Sequence, residues 1–287
     1  MRIASALLAI FCVVHSTTAF AEPQPTCPRA DALGVSRLLE INPSGGPWFG
    51  TPHGDRELLA PGEIVLTFDD GPAPHSTRPI LAALAAQCTK ATFFMVGEMA
   101  TEHADVVREV AEQGHTLATH TWSHLNLRRL ADEKMKLQIE AAFTAVEKAA
   151  GAPIAPFFRY PYLSSSDATV AYLQSRNIAQ FDIDIDSYDW RNRNAATVIR
   201  RVMSTLEQRG RGIILMHDIH SSTAAAVPEL LRQLNAKGYK VVHLRPISPV
   251  QTVASFEPPS KDVTHGHSVR RVRIHAKRGS STKWLMW

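Results

Sequence analysis

Seven short runs of apolar, β-branched or aromatic residues alternate along this chain with stretches of helical period. That alternation limits the fold more than any other feature of the sequence. The runs fall at 64–68, 92–96, 116–119, 157–159, 178–183, 213–216 and 240–244. Between them, 79–87, 104–113, 132–150, 167–176, 195–208 and 223–236 carry apolar residues at helical spacing. Gly114, Gly151 and Gly238 stand where helices should stop. Strands separated by helices pair in parallel, so the expected class is α/β. No glycine-rich dinucleotide or phosphate-loop signature follows any run, which favours a closed or nearly closed barrel over an open nucleotide-binding sheet.

The flanks read differently. Residues 1–21 resemble a secretory leader: Arg2, an apolar run over 3–14, and the small-x-small site Ala19-Phe20-Ala21. Cleavage near Ala21 would make the protein secreted or periplasmic, the alternative being an uncleaved anchor. Residues 22–60, rich in Pro and Gly, are expected to form an irregular arm, 61–246 the main folded domain, and 247–287 a basic, flexible tail. From 257 to 287 there are seven Lys or Arg against two acids, so the overall charge of +4 is a property of that tail. The body lacks the cationic field that tracks a phosphate backbone, which argues against nucleic acid as a partner. The tail offers a weak electrostatic contact with an anionic wall or membrane surface, or is simply a solvated end. Loss of the leader leaves Cys27 and Cys88, which either pair in an oxidising compartment or leave Cys88 as a small buried residue.

Polar side chains gather at one end of the runs. They occur in Asp69-Asp70-Gly71, His120-Thr121-Trp122-Ser123-His124, Arg159-Tyr160-Pro161-Tyr162, Asp186-Ser187-Tyr188-Asp189-Trp190 and Met216-His217-Asp218. Loops at the C-terminal ends of parallel strands converge on one face, where α/β barrels carry their chemistry. His120 and His124, read as neighbours on a helical turn, can share a metal whose third ligand is a carboxylate, leaving room for water and substrate. Adjacent carboxylates can divide the work, one holding the cation and the other taking a proton from metal-bound water, whose pKa falls from 15.7 towards ~7. A histidine opposite can protonate the leaving group, with an aspartate to orient it. Such a set hydrolyses amides or esters. Arg159 as a plain ion pair, Trp190 as core and Asp189 as a loop cap are the competing structural readings. His115, at the opposite strand end, reads as structural, and His220 matches no role.

In these five motifs and their order the chain resembles the polysaccharide deacetylases with the NodB-homology domain, carbohydrate esterase family four. The resemblance runs from about residue 63 to 244. It implies a distorted (β/α)7 barrel and one divalent metal, zinc first, with Co2+ or another divalent ion as alternatives. It implies Asp70, His120 and His124 as ligands, Asp69 as general base and His217 as general acid. Asp186 would tune His217, Arg159 orient Asp69, Tyr162 offer its backbone N–H to the oxyanion, and Trp190 and Leu215 wall the pocket for the acetyl methyl. The implied substrate is an acetylated glycan built on N-acetylglucosamine, peptidoglycan or chitin-like, with O-acetylated xylan or a non-catalytic carbohydrate-binding module as the other readings. Tyr162-Leu163-Ser164 departs from the glycine that many members have there, a change bearing on groove shape.

Overall fold

The computed structural model describes residues 27, 29–53 and 58–253. The leader and the tail beyond 253 lie outside them. The elements run β1 (Arg37–Ile41), β2 (Trp48–Phe49), β3 (Glu63–Asp69), α1 (Pro74–Ala86), β4 (Thr92–Met95), α2 (Gly97–Glu102), α3 (Ala104–Glu112), β5 (Thr116–Thr119) and α4 (Asp132–Ala150). They continue with β6 (Phe157–Phe158), α5 (Asp167–Ser175), β7 (Ala179–Phe181), β8 (Ile185–Asp186), α6 (Ala195–Arg209), β9 (Gly212–His217), α7 (Ser221–Ala236) and β10 (Lys240–Pro246). Among the described residues no helix is long and apolar enough to cross a membrane.

Every pairing between these strands is parallel. The ring runs β8-β9-β3-β4-β5-β6-β7, seven strands with helices outside, and a seam separates β7 from β8. This is the distorted (β/α)7 barrel of the sequence reading, with one exchange of member. The two-residue β8 was absent from the sequence reading. The run at 240–244 instead lies outside the ring: β10 meets only the start of β3, at Glu63 and Ile64, and carries β1 on its other flank. The 22–60 segment is not irregular throughout. Its β1 and β2 are parallel strands, β2 extending β7 along the seam. A disulfide joins Cys27 to Cys88 beyond the end of α1, so the pairing alternative holds. The start of the expected flexible tail is packed too: Val250 is buried and donates its N–H to Ile154 O.

Strand period sorts the side chains. On β3, Ile64, Leu66 and Phe68 pack outward under the helices, whereas Val65 joins an inner cluster with Phe94, Ala118, Phe157, Ala179, Phe181 and Ile213. Thr67 and Asp69 share the parity of Val65, Arg159 that of Phe157, His120 that of Ala118, and Leu215 and His217 that of Ile213. The alternation that builds the barrel therefore turns these polar groups inward at its C-terminal end. The helices hold the frame with ordinary signals. Ser166 and Thr169 form a reciprocal cap on α5, the Asn194 side chain caps α6, and Gly151 and Gly210 end α4 and α6 in the left-handed conformation.

Candidate metal centre and acid–base site

Asp70, His120 and His124 each offer one ligand atom, and these atoms all lie within 4.8 Å of one another. Asp70 Oδ1 is 3.2 Å from His124 Nε2 and 3.5 Å from His120 Nε2. It is buried without a hydrogen-bond partner among the described residues. An orphaned carboxylate oxygen facing two imidazole nitrogens is what a cation would satisfy. His120 Nδ1 sits 2.7 Å from the carbonyl of Arg159, which places its proton there and leaves the Nε2 lone pair for a ligand. Burial pushes both imidazoles below the ordinary histidine range, His120 furthest, the direction that favours the neutral form a metal ligand needs. The donor set of two nitrogens and one carboxylate suits zinc or a similar divalent ion.

The two histidines are not on a helical turn, as their spacing suggested. They lie on an irregular loop after β5 with left-handed backbone at Thr121 (φ 69°) and His124 (φ 54°). The loop is fastened by buried Trp122, whose N–H donates to Gln138 O, and by the first residues of α2, where Gly97 and Glu98 donate to Thr121 O and Trp122 O. A comparable departure places the two carboxylates. Successive strand residues point to opposite faces, yet Asp70 adopts φ 77°, which lets its side chain share a site with that of Asp69.

Asp69 is buried beside the ligands and accepts a 2.7 Å hydrogen bond from Arg159 Nη1. Arg159 is fully buried, its guanidinium over the Phe94 ring, donating also to Thr67 Oγ1, Phe181 O and Asp182 O. Burial outweighs this cation and raises the Asp69 carboxyl to about 6. His217 is the register partner of Asp69 on β9. Its Nδ1 lies 2.7 Å from Asp189 Oδ1, while Asp189 Oδ2 accepts from the His217 backbone N–H and from Thr223 Oγ1. Burial opposes charge on His217, but the hydrogen bond and charge of Asp189 prevail and raise its pKa to about 9. Burial likewise works against ionised Asp189, and the bond to His217 overrides it, leaving its carboxyl below the ordinary range.

The carboxylate against His217 is therefore Asp189, and the expectation for Asp186 is corrected. The chain turns at Tyr188 (φ 54°) and returns Asp189 beneath β9, while the Asp186 carboxylate accepts from Tyr188 N and, at 3.5 Å, Trp190 Nε1. The two aspartates share one motif, and only the turn between them decides which reaches the histidine. Tyr162, in the left-handed region (φ 60°), is 68% exposed with its ring edge-on to His124 at 4.8 Å. Trp190 is 47% exposed, so it is not core; Leu215 is buried opposite Thr67 and Asp186. His115 is buried at the other end of β5, its Nδ1 accepting from Ala91 N. His220 stands at the N-terminal end of α7 without a side-chain capping bond, and its Nδ1 meets Arg193 Nη1 at 2.5 Å.

A sequence model of the family described as Polysaccharide deacetylase matches residues 59–181. The peptidoglycan-N-acetylmuramic acid deacetylase PdaC of Bacillus subtilis is 33% identical over 189 residues, 66% of this chain and 39% of that protein. The chitooligosaccharide deacetylase of Azorhizobium caulinodans is 30% identical over 155 residues, 54% of this chain and 73% of that protein. Among solved structures, the Bdellovibrio bacteriovorus peptidoglycan deacetylase Bd3279 superposes with a TM-score of 0.69 at 32% identity, covering 77% of this chain and 62% of that one. The chain spans about two fifths of the length of the first curated relatives it matches.

Proposed function

The chain belongs to the polysaccharide deacetylase family, and from that footing we propose that it is a metal-dependent hydrolase removing N-acetyl groups from the amino sugars of peptidoglycan. The observation that carries this reading is the Asp70–His120–His124 cluster with a buried carboxylate and a paired histidine beside it. The peptidoglycan deacetylases among its relatives favour that glycan over a chitin-like one.

Asp70, His120 and His124 would hold the cation. Bound there, a divalent ion supplies Lewis-acid polarisation of a carbonyl and of water. Asp69, held by Arg159, takes the proton from the attacking water as the carbon–oxygen bond forms. His217 enters as the imidazolium and gives its proton to the amide nitrogen as the carbon–nitrogen bond breaks, releasing acetate and a free amine. Asp189 keeps the acidic proton of His217 on Nε2 by fixing Nδ1. The Tyr162 backbone N–H is the donor assigned to the developing oxyanion, and Trp190 with Leu215 to the acetyl methyl. The disulfide supports an oxidising compartment, in line with a cleaved leader and a secreted or periplasmic protein.

Acetate release should be measured on peptidoglycan, chitooligosaccharides and acetylxylan, with and without chelator. Release from peptidoglycan that disappears on chelation is expected. Release that survives chelation refutes the metal-dependent reading, and preference for acetylxylan makes the protein an ester hydrolase instead.

A further inference from the structure

Asp69 has an arginine to fix it; among the described residues the Asp70 side chain has none. Its Oδ1 faces only the two imidazoles, and its left-handed backbone is one that side chains other than glycine rarely adopt. The turn must be held from elsewhere, and Asp218 lies behind it. The Asp218 backbone N–H donates to Asp69 O at 3.3 Å, and its Oδ1 accepts from Gly71 N–H at 3.1 Å. The residues before and after Asp70 are thus tied to one side chain and its own main chain. Asp218 Oδ2 accepts from Thr77 Oγ1 at 2.6 Å, Thr77 Oγ1 accepts from Ala73 N, and Ser76 Oγ donates to Asp218 O. Asp218, Thr77 and Ser76 are all buried. Gly71 fits the same picture: a Cβ there would overlap both carboxylate oxygens of Asp218.

We infer that Asp218 is a positioning residue that aims the Asp70 carboxylate at the metal cluster by gripping the main chain on both sides of it. The inference rests on the metal-binding reading above. It gives the dipeptide His217-Asp218 two duties, the first supplying the acid and the second setting the ligand on the facing strand.

The test is a Co2+ titration followed by visible absorption, with the melting temperature of the metal-free protein measured in parallel. Asp218→Ala should weaken Co2+ binding by about 10–100-fold, the usual cost of losing a group that orients a ligand. Asp218→Asn should stay within about threefold of wild type, because its amide oxygen still accepts from Gly71. Leu230→Ala, a fully buried α7 position, should lower the melting temperature while leaving Co2+ affinity alone. Wild-type affinity in Asp218→Ala, or equal weakening in Leu230→Ala, overturns the inference. A wild-type protein that binds no Co2+ removes the metal reading itself, a distinguishable failure. Should Asp218→Ala not fold, Thr77→Val decides: weakening by about 3–10-fold is expected, and unchanged affinity sinks the idea.

Discussion

Asp69 and Asp70 are chemically identical neighbours in opposite surroundings, and the proposed mechanism gives them opposite tasks. Asp69 is enclosed and bonded to Arg159, its carboxyl raised towards neutrality. Asp70 keeps an unpartnered oxygen turned to two imidazoles. Asp69→Asn should therefore retain one equivalent of bound metal while kcat falls by about 10²–10⁴; normal turnover would show that the base lies elsewhere. The acid makes a second prediction. If His217 is the acid, as proposed, activity falls as pH rises through that group's pKa, about 9 without a cation and lower with one bound nearby. Asp189→Asn should move this alkaline limb of kcat/KM down by about 1–3 pH units, and Asp186→Asn should leave the limb in place. The reverse pattern would restore the assignment made from sequence. At this scale the inward-facing residues were legible because strand period fixes them. The choice between Asp186 and Asp189 was not, because it depends on one left-handed residue, Tyr188.

At the scale of elements, the ligand loop owes its shape to the helices beside it. Gly97 opens α2 against the Trp122 ring, and a Cβ there would come 2.7 Å from Trp122 Cε3 and 3.1 Å from Ala142 Cα. Gly97→Ala should push Trp122 and the His120–His124 loop out of place, costing about 1–3 kcal/mol of stability and lowering metal content on purification. Full metal content in a stable Gly97→Ala protein would show that the loop holds itself. Other elements were readable from the sequence: 116–119 and 132–150 match β5 and α4 residue for residue. β1, β2 and β8 were not. β2 and β8 have two residues each, too few for any period, and β1 and β2 sit amid prolines and glycines that mark turns. The His-x3-His spacing misled for a similar reason, since four residues can close a helical turn or a loop with two left-handed positions.

Across the whole molecule the two ends of the barrel titrate differently. Away from the site, His115 and His243 are buried; burial, with Lys90 near both and Arg245 near His243, lowers their pKa values to about 3 and about 4. Both are neutral when folded and ordinary when unfolded, so the unfolded chain takes up more protons below about 6.5 and stability falls with pH there. Asp69 and Asp218 titrate in the opposite sense, so the contribution of His115 is read as a difference between proteins. Relative to His115→Gln, wild type should lose about 2 kcal/mol of stability between pH 7 and pH 5. A gap that stays constant over that range would mean His115 is not held neutral.

The N-terminal segment is stitched to the body by the Cys27–Cys88 disulfide, by β1 along β10 and by β2 along β7. A protein begun at residue 61 would carry two raw parallel flanks, one of them bordering the gap between β7 and β8. Bare strand flanks recruit other chains. The unit that folds on its own therefore starts upstream of residue 61 and includes Cys27.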